Sequence, residues 1–314
     1  MSATSLCIAC GSIHFRFALF GRDRMFDRQE KFVYEMCARC GMLRQQPVLT
    51  ESQVKRYYPS RNYYSYKENQ QEGLFDRIRK YLLKHYYAPT VITRLITTVI
   101  PNVPAIPKFV KGGKVLDVGC GAGDTLVSLK TLGWNVYGLE IDRSAVAVAK
   151  KRGLANVSCG SFRDMQKLPD HFFDAIRLYH VIEHLNDPEL CLSLIRKKLK
   201  SGGELLIGTP NPVSVVARVF GSYWYNLDVP RHAYLFTPRA LVKMLTRHGF
   251  LTPTIEFCSV GGILGSLGYV VSERLHRNIS FLAKQWLVVL VYPVEWILDK
   301  LSLGDVFVIR AQKI

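Results

Sequence analysis

The sequence predicts an α/β fold: a doubly wound, seven-stranded parallel sheet, with a small four-Cys module before it and a helical insertion ahead of the last strand. Three observations predict it. From Lys111 onward, short apolar runs alternate strictly with helical patterns, as expected of parallel strands joined by crossover helices. One of those runs leads straight into Gly119, Gly121 and Gly123. Two Cys-x-x-Cys pairs, Cys7/Cys10 and Cys37/Cys40, stand near the start of the chain.

In chain order, residues 1–45 hold the Cys pairs around strand-like runs at 13–20 and 31–34. Residues 46–110 are polar and Tyr-rich, then helical: Phe75, Ile78, Leu82 and Leu83 recur at helical spacing. Pro101, Pro104 and Pro107 break that pattern and mark a linker. Residues 111–314 form the main domain. Its strands are expected at 115–118, 136–141, 157–159, 175–179, 204–208, 251–257 and 306–310, and helices near 123–132, 144–152, 188–199 and 238–249. An apolar stretch, 261–303, separates the last two strands.

The 314 residues are 48% hydrophobic and 21% charged, enough to bury a full core. The net charge of +17 favours anionic partners: nucleic acid, an acidic lipid surface or phosphorylated substrates. A basic surface with solubility consequences only is the plainer reading. No basic region followed by an apolar run opens the sequence, so a reducing cytosol is expected. Paired Cys there suggest a metal rather than disulfides.

The two Cys-x-x-Cys knuckles can give four thiolates to one tetrahedral Zn2+, and Gly11 and Gly41 ease the knuckle turns. A closed shell of Cys7, Cys10, Cys37 and Cys40 makes this zinc structural. Redox dithiols are the alternative.

The glycine run differs from a G-x-G-x-x-G dinucleotide fingerprint. Its spacing is G-x-G-x-G, and Asp117 precedes it. An acid so close repels a pyrophosphate and suits an ammonium. Glu140, ending the next strand, can accept from both ribose hydroxyls. The ligand these residues describe is a nucleoside with an amino-acid tail and no phosphates. Here the sequence resembles the class I S-adenosylmethionine-dependent methyltransferases, with their Rossmann-like sheet, over roughly 111–257 plus the final strand. The resemblance implies that Asp117, Gly119, Gly121 and Gly123 line S-adenosyl-L-methionine, that Glu140 holds its ribose, and that Ile141 packs on its adenine. Ser161 stands where the family often has an Asp for the adenine amino group, with Phe162 beside it, so adenine recognition is expected to rely on Ser161, Phe162 and backbone.

The fourth strand ends in His180-Val-Ile-Glu-His184. The resemblance puts this turn under the methyl-donor end, so His180 is both a cofactor and a catalytic candidate, with His184 one helical turn beyond. The plainer reading has His180 shaping the pocket and Glu183 and His184 fixing the turn. No Asn/Asp-Pro-Pro-Tyr motif occurs, which lowers methylation of nucleic-acid bases.

On the acceptor side, residues 57–66 are dense in Tyr, including Tyr63 and Tyr64, and the resemblance makes them part of a lid. Asp228, Arg231 and His232 lie in a predicted loop before the Thr237-Pro238 helix start. His232 is the favoured general base, and Arg231 a candidate for a phosphate or carboxylate. The alternative is a capping and packing loop.

A four-Cys module, a Tyr-rich bridge and this core occur in that order in sugar methyltransferases of the polysaccharide and glycolipid pathways. The sugar C-methyltransferases carry a further C-terminal domain not seen here, so O-methylation stays open. The apolar core of the insertion, residues 286–294, falls short of the about 20 residues that span a bilayer. It suits peripheral contact with an anionic membrane on its cytoplasmic face, a clamp for a lipid-linked acceptor, or a subunit interface. A sugar acceptor leads. A quinone-type phenol, an RNA and a non-catalytic scaffold are the alternatives. No aromatic-interleaved basic run supports RNA.

Overall fold

The computed structural model describes residues 6–58, 81–83, 85–99, 105–275 and 285–314. Strands β1 (Phe15–Arg22), β2 (Lys31–Cys37) and β3 (Leu43–Gln46) open the chain. Helix α1 (Glu51–Val54) follows, then α2 (Val91–Val99). The main domain runs β4 (Lys114–Val118), α3 (Asp124–Thr131), β5 (Asn135–Glu140), α4 (Arg143–Lys151), β6 (Val157–Cys159), β7 (Phe173–Tyr179), α5 (Pro188–Lys198) and β8 (Leu199–Pro210). After it come α6 (Val215–Phe220), β9 (Tyr234–Leu235), α7 (Pro238–Arg247), β10 (Phe250–Phe257), α8 (Gly262–Leu275), α9 (Gln285–Lys300) and β11 (Val306–Lys313).

Seven strands form one sheet in the order β10-β11-β8-β7-β4-β5-β6. The sheet is mixed rather than wholly parallel as expected: β11 runs antiparallel to both β8 and β10. The reason is topological. The insertion before β11 returns the chain to the sheet end it has just left, so β11 enters in the reverse direction. β4 to β8 are mutually parallel, with β6 at the edge of the sheet. β4 is buried along Val115–Val118, as suits a strand covered on both faces. Helices start where sequence marks them: the Asp142 side chain accepts from the Ser144 and Ala145 amides, and Thr237 caps α7 ahead of Pro238.

The four-Cys segment shares the core of the main domain. Cys7, Cys37, Cys40 and Met42 pack in one cluster with Leu178, Phe236, Ala240 and Met244. A second sheet, β1-β2-β3-β9, takes its last strand from the 225–235 loop. The Thr237 hydroxyl donates to the Cys40 carbonyl at 2.8 Å, and Arg247 donates to the Ile8 carbonyl. The boundary expected at residue 45 is thus crossed by strand pairing, hydrogen bonds and apolar packing.

Candidate functional site

The site lies at the C-terminal ends of the parallel strands, where open α/β sheets bind ligands. Val118 is in register with Leu139 on one side and Leu178 on the other. The glycine turn, Glu140 and His180 therefore emerge side by side. Gly119, Gly121 and Gly123 all have positive φ, at 72°, 54° and 83°, a region side chains rarely adopt. A Cβ on Gly119 would meet Val181 at 2.5 Å, and one on Gly123 would meet Leu154 at 2.3 Å. One on Gly121 would meet nothing, so open space lies there. Glu140 Oε2 accepts from the Gly121 amide at 2.8 Å and Oε1 from the Asp142 amide at 3.0 Å. The carboxylate is thereby fixed at the strand end.

Two expectations for this half need correction. Asp117 is not a free carboxylate: it is 1% exposed, and both its oxygens accept from Arg177 Nη1 at 2.9 Å. A lone Arg inside the apolar strand 173–179 was the signal for this pairing. Phe162 is 5% exposed and part of the main core, so its ring is not free to stack on a base. Ser161 instead caps the short 3-10 turn Phe162–Lys167, and Asp164 reaches back to its amide at 2.9 Å. Ile141, by contrast, is 70% exposed beside Glu140.

On the other side, His180 stands at the end of β7 with φ 54°, uncommon outside glycine. Its amide donates to the Gly208 carbonyl at 2.9 Å. Its ring, about a third exposed, meets Glu183 Oε1 through Nδ1 at 3.2 Å. Glu183 is wholly buried and takes a second hydrogen bond from the Thr209 hydroxyl at 3.0 Å. Burial pulls its carboxyl up, but the hydrogen bond from His180 and the surrounding imidazoles bring it down to about 2. Glu183 is thus more than a turn residue: it orients an accessible imidazole.

His232 is less accessible than the sequence suggested. It is 4% exposed, and its Nδ1 donates to the Asn226 carbonyl at 2.9 Å. Burial, with His184 beside it, lowers it to about 4. His184 stacks edge-on to it at 4.5 Å between ring centroids. Its Nδ1 lies 3.0 Å from the Arg231 carbonyl and 3.1 Å from the Tyr58 hydroxyl. Arg231, expected to hold a substrate anion, is 1% exposed and committed to Asp23 and Asp228. The loop is thereby locked to the β1–β2 hairpin, and the Tyr34 hydroxyl adds a bond to the His232 carbonyl. Tyr63 and Tyr64 lie outside the described residues.

A cavity of about 1240 Å3 adjoins the Asp228–Arg231 loop, lined among others by Arg22, Arg24, Phe26, Tyr225 and Tyr269. It lies between the β1–β2 hairpin and α8 and α9, and Arg22 and Arg24 pair with Glu273 at its wall. At the other end of the hairpin, Cys7 and Cys40 Sγ lie 3.6 Å apart, and Cys10 and Cys37 Sγ 3.5 Å. All four sulfurs fall within 4.8 Å of one another. A tetrahedral Zn2+ with bonds of about 2.3 Å sets its thiolates about 3.8 Å apart, so the four residues fit that ion.

A glycine turn at the switch point of such a sheet defines a nucleoside-binding α/β enzyme class. The methyltransferase-domain family matches residues 85–252, more than half of the chain, and the chain belongs to it. Its fold is that of a class I S-adenosylmethionine-dependent methyltransferase. Among curated proteins it is similar to a ubiquinone biosynthesis O-methyltransferase of Xanthomonas oryzae pv. oryzae, 31% identical over 127 residues, 38% of this chain and 53% of that one. Its namesake from Idiomarina loihiensis is 24% identical over 176 residues, 52% of this chain and 70% of that one. The chain spans about half the length of the first of these relatives. A SAM-dependent methyltransferase structure from Archaeoglobus fulgidus has a TM-score of 0.47 at 22% identity, covering 74% of this chain and 94% of that one.

Proposed function

We propose that this protein transfers a methyl group from S-adenosylmethionine to a hydroxyl of a small-molecule acceptor. S-adenosylmethionine supplies the activated methyl. Gly119, Gly121 and Gly123 give it close backbone approach, Glu140 binds the ribose hydroxyls, and Ile141 covers the adenine. The observation that carries the reading is the His180–Glu183 pair beside the glycine turn. With Nδ1 held by Glu183, the Nε2 of His180 is left to take the hydroxyl proton. The acceptor oxygen bonds the methyl carbon as the carbon–sulfur bond breaks and the sulfur leaves as a neutral thioether. His232 and His184 then position rather than receive the proton.

A sugar of surface polysaccharide or glycolipid assembly is the leading acceptor, in line with the four-Cys order of the chain. A quinone-type phenol is the second reading, favoured by the names of the curated relatives. Either can extend a lipid-linked part into the cavity beside the β1–β2 hairpin. Methyl-labelled S-adenosylmethionine offered with nucleotide-linked sugars and with prenylated phenols tests both. His180→Gln should lower kcat about 10²–10⁴-fold at unchanged cofactor affinity. Full activity in that variant would remove the base assignment.

We also propose a structural Zn2+ on the four Cys and peripheral contact with an anionic membrane through the insertion. No described helix is long and apolar enough to cross a bilayer. Yet α9 exposes Val289, Leu290, Val294 and Ile297, while its buried side carries Glu295 and Asp299. The Tyr292 hydroxyl on this helix is buried. The side chain of Trp286 lies outside the described residues. Flotation with anionic vesicles, reversed by salt, is the expected behaviour. A protein that ignores them and dimerises through α9 would exclude membrane contact.

A further inference from the structure

The 225–235 loop and the turn after β7 bring together Glu183, His184 and His232, one ligand atom of each lying within 4.8 Å of the others. The chemistry of the gap between them is unusual. His232 Nδ1 faces the Asn226 carbonyl, which only accepts, so Nδ1 carries the hydrogen and Nε2 presents a lone pair. That lone pair faces Glu183 Oε1 at 4.0 Å and Asp228 Oδ2 at 3.8 Å. The His232 lone pair thus has two further acceptors beside it, both too far for hydrogen bonds. By the same reasoning His184, with Nδ1 against the Arg231 carbonyl, leaves its Nε2 as a lone pair.

The charges are also unbalanced. Asp23, Glu183 and Asp228 are carboxylates with side chains no more than 9% exposed. Arg231 is shared by Asp23 and Asp228, and Arg28 lies 3.9 Å from Asp23. Among the described residues, the only ionisable partners of Glu183 are imidazoles. A buried carboxylate needs a positive counterpart.

We infer that Glu183, His184 and His232 bind a divalent transition-metal ion beside His180. Two imidazoles and a carboxylate are a donor set for such ions rather than for Mg2+. Bonds of about 2.0–2.2 Å let ligands on opposite sides of an ion stand up to about 4.2 Å apart. The 4.0 Å gap between His232 Nε2 and Glu183 Oε1 can be bridged at a wide ligand–metal–ligand angle, and the spacings of up to 4.8 Å would close by side-chain rotation on binding. The partners around the ligands suit the role. The Asn226 and Arg231 carbonyls fix the two imidazoles, and Thr209 and His180 hold the carboxylate. Three protein ligands leave positions open. The acceptor oxygen would take one of them, its proton made more acidic by the ion. That use of the ion rests on the methyl-transfer reading; the binding site itself does not.

Mn2+ is the probe, because thiolate sites prefer zinc. Protein carrying a single equivalent of zinc, which the four thiolates take up first, is titrated with Mn2+ and followed by electron paramagnetic resonance; it should bind one Mn2+ per chain in the micromolar range. Electron spin-echo spectra of the wild-type complex should show coupling to imidazole nitrogen, a readout that needs no variant. Glu183→Gln and His232→Gln should each weaken binding at least tenfold, and Cys37→Ser should leave it unchanged. No binding by the wild type up to millimolar Mn2+, bound Mn2+ without nitrogen coupling, or wild-type affinity in both variants would overturn the assignment. S-adenosylhomocysteine binding is measured on the same samples. Cofactor binding without Mn2+ sinks this inference alone, and Mn2+ binding without cofactor binding sinks the methyl-transfer reading alone.

Discussion

Arg231 shows what local sequence conceals at the scale of one residue. A charged residue in a loop at the ligand end of a sheet reads as a substrate contact. Its guanidinium in fact bridges Asp23, 208 positions away, and Asp228. Nothing local signals the first of these. Removing one member of a buried ion pair leaves an uncompensated charge, at a cost of about 3–5 kcal/mol. Arg231→Ala should therefore lower the unfolding free energy by that amount in denaturant titrations. A variant of wild-type stability with only a raised KM would restore the substrate role. Asp117 and Phe162 follow the same rule: motif position places them at the site, but burial commits one to Arg177 and the other to the core. The sharp turn at Gly119, Gly121 and Gly123 was legible, because a positive φ is written in residue type.

Among elements, those with a period of their own could be read ahead. Strands β4 to β8 and helices α3, α4, α5 and α7 fall close to the expected ranges. The two-residue β9 did not, since its pairing with β3 is wholly non-local. That strand ties the four-Cys hairpin to the loop of Arg231 and His232. Cys37→Ser should release one zinc per chain by elemental analysis, and loosen the hairpin as metal and local folding are linked. Retained zinc with an unchanged hairpin would contradict the four-Cys assignment. At the other end, Asp305 gathers Ser214, Trp224 and Asn226 at the root of the insertion. Burial raises its carboxyl from 3.8 to about 6, against the pull of those donors. The folded state therefore holds the proton more tightly than the unfolded one. Stability from this group is fully present below about pH 3.8 and is lost as pH rises through about 6, a loss of about 3 kcal/mol. Asp305→Asn should flatten the fall in Tm between about pH 4 and 6.5; an unchanged slope would mean the group does not titrate there.

The whole molecule is a Rossmann-like sheet tied through β9 to a second, smaller sheet. Its strand order and the family match define the methyltransferase class, while the side chains around His180 meet only in three dimensions. Cofactor binding is the claim on which every other assignment rests. Calorimetric titration with S-adenosylhomocysteine tests it directly. One molecule per chain should bind with a micromolar Kd, about −8 kcal/mol. Glu140→Ala should cost about 1.5–3 kcal/mol of that through lost charge-assisted hydrogen bonds. Tight binding of NAD with no heat from S-adenosylhomocysteine or S-adenosylmethionine would contradict the account.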